Sequence, residues 1–99
     1  MTNISLSNAH GRTTAFRGTY PNVVKAIEVS PSDLTGIIAQ TGCVGFRFYF
    51  CLEVPSDATT LNLVVVGVDA SGNDLYNGVL KNSGITCPPD CSTANPLNS

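Results

Sequence analysis

Charge is what this sequence has least of. Only 12% of its 99 residues are Asp, Glu, Lys or Arg, about half the usual share. The five basic residues, Arg12, Arg17, Lys25, Arg47 and Lys81, are dispersed. No basic patch is therefore available to neutralise a phosphate backbone, and no nucleic-acid partner is expected. No apolar run approaches the roughly 18 residues of a membrane span. Residues Met1 to Leu6 lack the charged start and apolar run of a secretory signal. A cytoplasmic chain is expected if the numbering begins at the natural start, and an extracellular one if the chain is a processed form. Paired carboxylates, a phosphate-cradling glycine loop and a Gly-x-Ser-x-Gly elbow are all missing. His10 is the only histidine, and nothing in the sequence sets it beside a thiol to form a nucleophilic pair. The expectation is a protein that is not an enzyme and carries no cofactor.

Uncharged polar residues stand in for the missing charge: Asn, Ser and Thr together number 28. A surface of this kind repels its own copies weakly, which eases association. The apolar fraction, 42%, is enough for one small globular domain with little stability to spare.

The apolar residues are concentrated in two runs. Cys43 to Leu52 reads as one long strand holding Phe46, Phe48, Tyr49 and Phe50, four of the chain's seven aromatics. Leu61 to Val68 reads as a second. Alternation places Val44, Phe46, Phe48, Phe50 and Leu52 on one face, and Cys43, Gly45, Arg47, Tyr49 and Cys51 on the other. Pro55-Ser56-Asp57 marks a turn between the runs. A hairpin would set Gly67 near Phe46. A helix is expected over 31–41, opened by Ser30 and Pro31, striped by Leu34, Ile37 and Ile38, and stopped by Gly42. Residues 5–17 make a first helix with Leu6, Ala9, Thr13 and Phe16 on one face. Val23 to Val29 alternates as a strand. Residues 75–80 suit a strand or a helical turn.

The expected fold is α+β. It is a two-layer sandwich in which a small antiparallel or mixed sheet of three to four strands carries two helices on one face. Residues 1–86 form the domain, and 87–99 a Pro- and Cys-containing tail. Two short helices cover only one sheet face. Phe46, Phe48 and Phe50 are expected beneath them. The Arg47–Tyr49 face, with Cys43 and Cys51, is expected to meet the tail, a second copy or a partner.

Three segments, taken in order, resemble a group of small uncharacterised bacterial proteins. They are Gly42-Cys43-Val44-Gly45-Phe46-Arg47-Phe48-Tyr49, then Leu63 to Leu75 with Val66-Gly67-Val68-Asp69 and Gly72-Asn73-Asp74-Leu75, and last Cys87-Pro88-Pro89-Asp90-Cys91. The likeness spans about Asp33 to Cys91. The amino-terminal third lacks the charged helix the group would have. The resemblance implies a bacterial, cytoplasmic protein and no activity.

Four cysteines leave several chemistries open. Cys87 and Cys91 are candidate metal ligands, with Cys43 or Cys51 and His10 completing the set. They are also a candidate disulfide, with each other or with Cys43 or Cys51. Cys43 and Cys51 lie about 26 Å apart along an unbroken strand at 3.3 Å per residue, so they cannot share an ion or bond each other. Asp69-Ala70-Ser71-Gly72-Asn73-Asp74 places oxygens at alternate positions like a calcium loop. It lacks the glycine and glutamate such a loop needs at its sixth and twelfth places, where Asp74 and Leu80 stand, and a turn explains it. Arg47 is expected to pair with Asp69 or Glu53, or to bind an anion or a partner's carboxylate.

The function expected from these features is a self-associating structural protein, a homo-oligomer or filament subunit assembling through its sheet and tail. The alternatives are a binding or regulatory module that uses the Arg47–Tyr49 face to hold another protein, and a metal-binding or redox module built on Cys87 and Cys91.

Overall fold

Serine sets both helix starts. In the computed structural model, which describes residues 1–98, Ser5 caps α1 (Leu6–Thr19) by accepting the Asn8 amide at 3.1 Å. Ser30 caps α2 (Pro31–Ile38) by accepting the Asp33 amide at 3.3 Å, with Pro31 at the first helical position. α2 stops three residues short of the expected end. Gly42, at φ 81°, then reverses the chain in a conformation that favours glycine.

β2 (Gly45–Leu52) and β3 (Leu61–Val68) pair antiparallel over eight positions, from Gly45 opposite Val68 to Leu52 opposite Leu61. Phe46 faces Gly67, the expected register. A 3-10 turn at Ala58–Thr60, capped by Asp57, closes the connection. β4 (Leu80–Asn82) adds to the far side of β3, giving a three-stranded sheet in the order β2-β3-β4. The fold is α+β, as expected.

A second sheet was not foreseen. Ala26–Glu28 forms β1 and pairs antiparallel with β5 (Ile85–Cys87). The expected strand over 23–29 is therefore three residues long and lies outside the main sheet. Its partner limits it: beyond Cys87 come Pro88 and Pro89, which have no amide to donate. Cys87, where a tail was expected to begin, is the buried last residue of a strand. Residues 75–79 are turns, and β4 begins only at Leu80.

The core is narrow. Ile37 is fully buried, and Val65, Val66 and Cys87 are the other buried apolar side chains among the described residues. α2 lies where Gly67 leaves β3 bare. A Cβ on Gly67 would come within 2.8 Å of Cys43 Sγ and 3.2 Å of Ile37 Cγ2. At the other side of the helix Asp33 faces Lys81 of β4 at 3.9 Å. Cys43 precedes β2 and sits on the α2 side, its thiol donating to the Gly45 carbonyl at 3.3 Å. It does not share the Tyr49 face, because the strand it was assigned to starts two residues later. Asn62, the one buried polar residue among those described, ties the two sheets by donating to the Gly84 carbonyl at 3.1 Å.

α1 forms where expected but has no buried residue. It is tied to the C-terminal segment: His10 Nδ1 lies 2.5 Å from the Pro96 carbonyl oxygen, and Arg17 donates to that of Leu97 at 2.6 Å. Lys25 donates to the Asn98 carbonyl at 3.1 Å. With α1 held there and α2 only eight residues long, about 12 Å, the aromatic face of β2 is left open. Phe46, Phe48 and Phe50 are 39%, 46% and 79% exposed, against the expectation that helices would cover them.

Truncating Ile37 to Ala should cost about 2–5 kcal/mol, and Gly67→Ala about 1–3 kcal/mol by overpacking. Phe50→Ala should stay within about 0.5 kcal/mol in the isolated chain. Urea denaturation at a concentration where the chain is dilute measures all three.

Candidate functional site

Arg47 and Tyr49 do share one face of the sheet, as alternation requires. What reaches them is the turn after β3. Asp69 Oδ1 accepts the Ser71 and Asn73 amides, both at 2.9 Å, and Gly72 takes φ 82°. The chain returns so that Asp74 bridges to Val68 and its carboxylate meets both side chains. Arg47 Nη1 donates to Asp74 Oδ1 at 2.5 Å, and the Tyr49 hydroxyl donates to Asp74 Oδ2. Arg47 also donates to the Gly72 carbonyl at 3.3 Å. Its partner is thus Asp74, not Asp69 or Glu53.

The cluster shifts each of its members. The Tyr49 hydroxyl bond, with the Arg47 guanidinium, holds the Asp74 carboxyl below the usual carboxylate range. The same bond to Asp74, reinforced by desolvation, raises the Tyr49 phenol, and Asp74 raises Arg47. Arg47 and Tyr49 are exposed and Asp74 is half-buried between them; the cluster pins the turn to β2, and each group already holds its partner.

Cys51 lies on this same face. Asn82 Nδ2 is 3.5 Å from its sulfur and donates to Glu53 Oε1 at 3.0 Å, and Ser83 donates to the same Glu53 oxygen at 3.1 Å. Cys87 and Cys91 form a disulfide, leaving Cys43 and Cys51 as free thiols. In that state the pair has no thiolate to offer an ion. Among the described residues no three of His, Cys, Asp and Glu converge as a metal group, and none of the helices is long and apolar enough to cross a membrane.

The other face of β2 is the open feature of the molecule. Phe46, Phe48 and Phe50 form a row on an edge strand, flanked by exposed Val44 and Leu52. Next to Phe50, a groove of about 270 Å³ is lined by Phe16, Val24, Ile27, Leu61 and Leu63. The chain exposes 6812 Å², whereas a folded monomer of this mass exposes about 5,400 Å². Its radius of gyration is 15.1 Å, against about 13 Å for a compact chain of this length.

No family model matches the chain, and neither a curated protein nor a solved structure was found to match it. Sequence reasoning missed Asp74 and the open aromatic row. A signal for the first was present: a tight return through Gly72 sets the residue six after Val68 back beside it. The signal for the second was the weak apolar stripe of residues 6–19, where Gly11, Thr13 and Thr14 interrupt it.

The pH dependence follows from the signs. Asp74 titrates lower in the folded chain, so its contribution is present above the ordinary carboxylate range and is lost as pH falls through the folded value. Tyr49 titrates higher, so its contribution is present below about pH 10 and is lost as pH rises through the folded value. Asp74→Asn should flatten the acid limb of the urea midpoint below about pH 4. A residual slope should remain from Asp57, which Thr59 also holds low. An unchanged acid limb would show that the cluster does not stabilise the turn.

Proposed function

We propose that this chain is a non-enzymatic subunit that associates with its own kind through the aromatic face of β2. The observation that carries this reading is the open row of Phe46, Phe48 and Phe50 on a chain with about 1,400 Å² more surface than a folded monomer of its mass. That excess, summed over the whole chain, is larger than the roughly 800 Å² one partner contributes to a standard interface. Contiguous apolar surface of this kind marks an interaction site. Low surface charge removes the repulsion that would keep copies apart.

The Arg47–Tyr49 face supports a docking module less well, because Asp74 occupies both side chains. The docking surface is therefore assigned to the opposite face from the one the sequence suggested. The Cys87–Cys91 disulfide favours an oxidising compartment over the reducing cytosol, which weighs toward the extracellular alternative.

Light scattering on the purified chain should give a mass of at least twice 10.3 kDa at micromolar concentration. Phe50→Ser should weaken association at least about tenfold, since burying one such ring is worth about 1.5–3 kcal/mol. A wild-type chain that stays monomeric at millimolar concentration would contradict the proposal.

A further inference from the structure

β2 is open along its backbone as well as on its face. It is the edge of the sheet, and the hydrogen-bond pattern shows which of its residues point outward. Glu53 donates its amide to the Thr60 carbonyl at 3.1 Å, one step beyond the Leu52–Leu61 pair. Antiparallel pairs alternate between bonded and non-bonded. Cys51, Tyr49 and Arg47 therefore turn their amides and carbonyls toward β3, and Phe50, Phe48 and Phe46 turn theirs away from it. The Leu75 amide donating to the Gly67 carbonyl at 2.8 Å agrees, since Gly67, opposite Phe46, points away from β2. The residues with exposed rings are thus the same residues that offer unpaired backbone donors and acceptors.

Resting on the self-association reading, we propose that the partner is a second copy joined edge to edge. The β2 strands of two copies pair antiparallel about a two-fold axis at Phe48, making one six-stranded sheet. A two-fold axis normal to the sheet makes identical strands antiparallel and keeps both phenylalanine rows on one side. Centring the pair on Phe48 sets Phe48 against its own equivalent and Phe46 against the partner's Phe50, so three aromatic pairs form. Arg47 then faces the partner's Tyr49. A centre at Arg47 would set two like charges opposite each other, which is unfavourable. A centre at Tyr49 would leave two phenylalanine pairs instead of three, each of Phe48 with the partner's Phe50, and put Phe46 against the partner's Leu52 and Arg47 against the partner's Cys51.

The assembly closes at two. The outer edges of the joined sheet are β4, only three residues long and carrying Lys81. Short, charged edges resist further pairing. The geometry selects a dimer over a filament.

The test is amide hydrogen exchange read by NMR, with light scattering on the same samples. In a dimer, the Phe46, Phe48 and Phe50 amides should exchange at least about a hundredfold more slowly than in the dilute monomer, joining Arg47 and Tyr49 in protection. A dimer in which those three amides still exchange freely overturns the edge pairing and leaves self-association standing, as packing of the two faces. A chain that is monomeric at every concentration overturns both. Register is read separately by oxidative cross-linking of single cysteines in a Cys43→Ser/Cys51→Ser chain. Phe48→Cys should cross-link, because bonded antiparallel partners lie about 5.5 Å apart between Cα atoms, whereas Arg47→Cys and Tyr49→Cys should not. Cross-linking at either of those positions instead, or at none, overturns the register.

Discussion

Ile37 resting on the bare backbone of Gly67 is the contact on which the remainder of this fold depends. It is the fully buried side chain of the described core, and it is possible only because β3 has no side chain at that point. The contact fixes where α2 lies, over β3 and toward Lys81 of β4. An eight-residue helix placed there meets β2 only in part, and exposure rises along the strand from Phe46, opposite Gly67, to Phe50. The exposure of Phe46, Phe48 and Phe50 follows from that placement together with the binding of α1 to the C-terminal segment.

The two faces of β2 differ in kind. On one, Arg47, Tyr49 and Asp74 satisfy each other and hold the turn that follows β3. On the other, three rings stay 39–79% exposed, and among the described residues the backbone groups on their outer edge have no partner. A small domain has little stability to spare, and leaving this much apolar surface in water withholds a large part of its hydrophobic stabilisation. The proposed pairing with a second copy would recover part of that stabilisation, where the two aromatic rows meet across the joined strands, and the uncharged polar surface places no electrostatic barrier against it.

Much of the fold was legible in the sequence. Two apolar runs, residues 43–52 and 61–68, marked the strands of the hairpin, and the Pro-Ser-Asp turn between them set Gly67 near Phe46, because apolar runs and turn residues are local signals. Ser30-Pro31 marked α2 for the same reason. The second sheet was not legible: the pairing of Ala26–Glu28 with Ile85–Cys87 joins segments nearly sixty residues apart, and neither carries a turn signal linking it to the other. Of the candidate site residues, Arg47, Tyr49 and Cys51 share a face as alternation required. Cys43 does not, since a strand boundary two residues away decides its side. Which face is closed was the least legible feature, because it depends on what a helix covers rather than on what a strand presents.

Small-angle X-ray scattering across a dilution series tests the central claim, that the chain leaves its aromatic edge uncovered and completes it with a second copy. The dilute limit should show a 10.3 kDa particle with a radius of gyration near 15.1 Å, and forward scattering per mass should double as concentration rises. A concentration-independent monomer that has contracted to about 13 Å would mean that the chain covers the aromatic row by itself, and would contradict the claim.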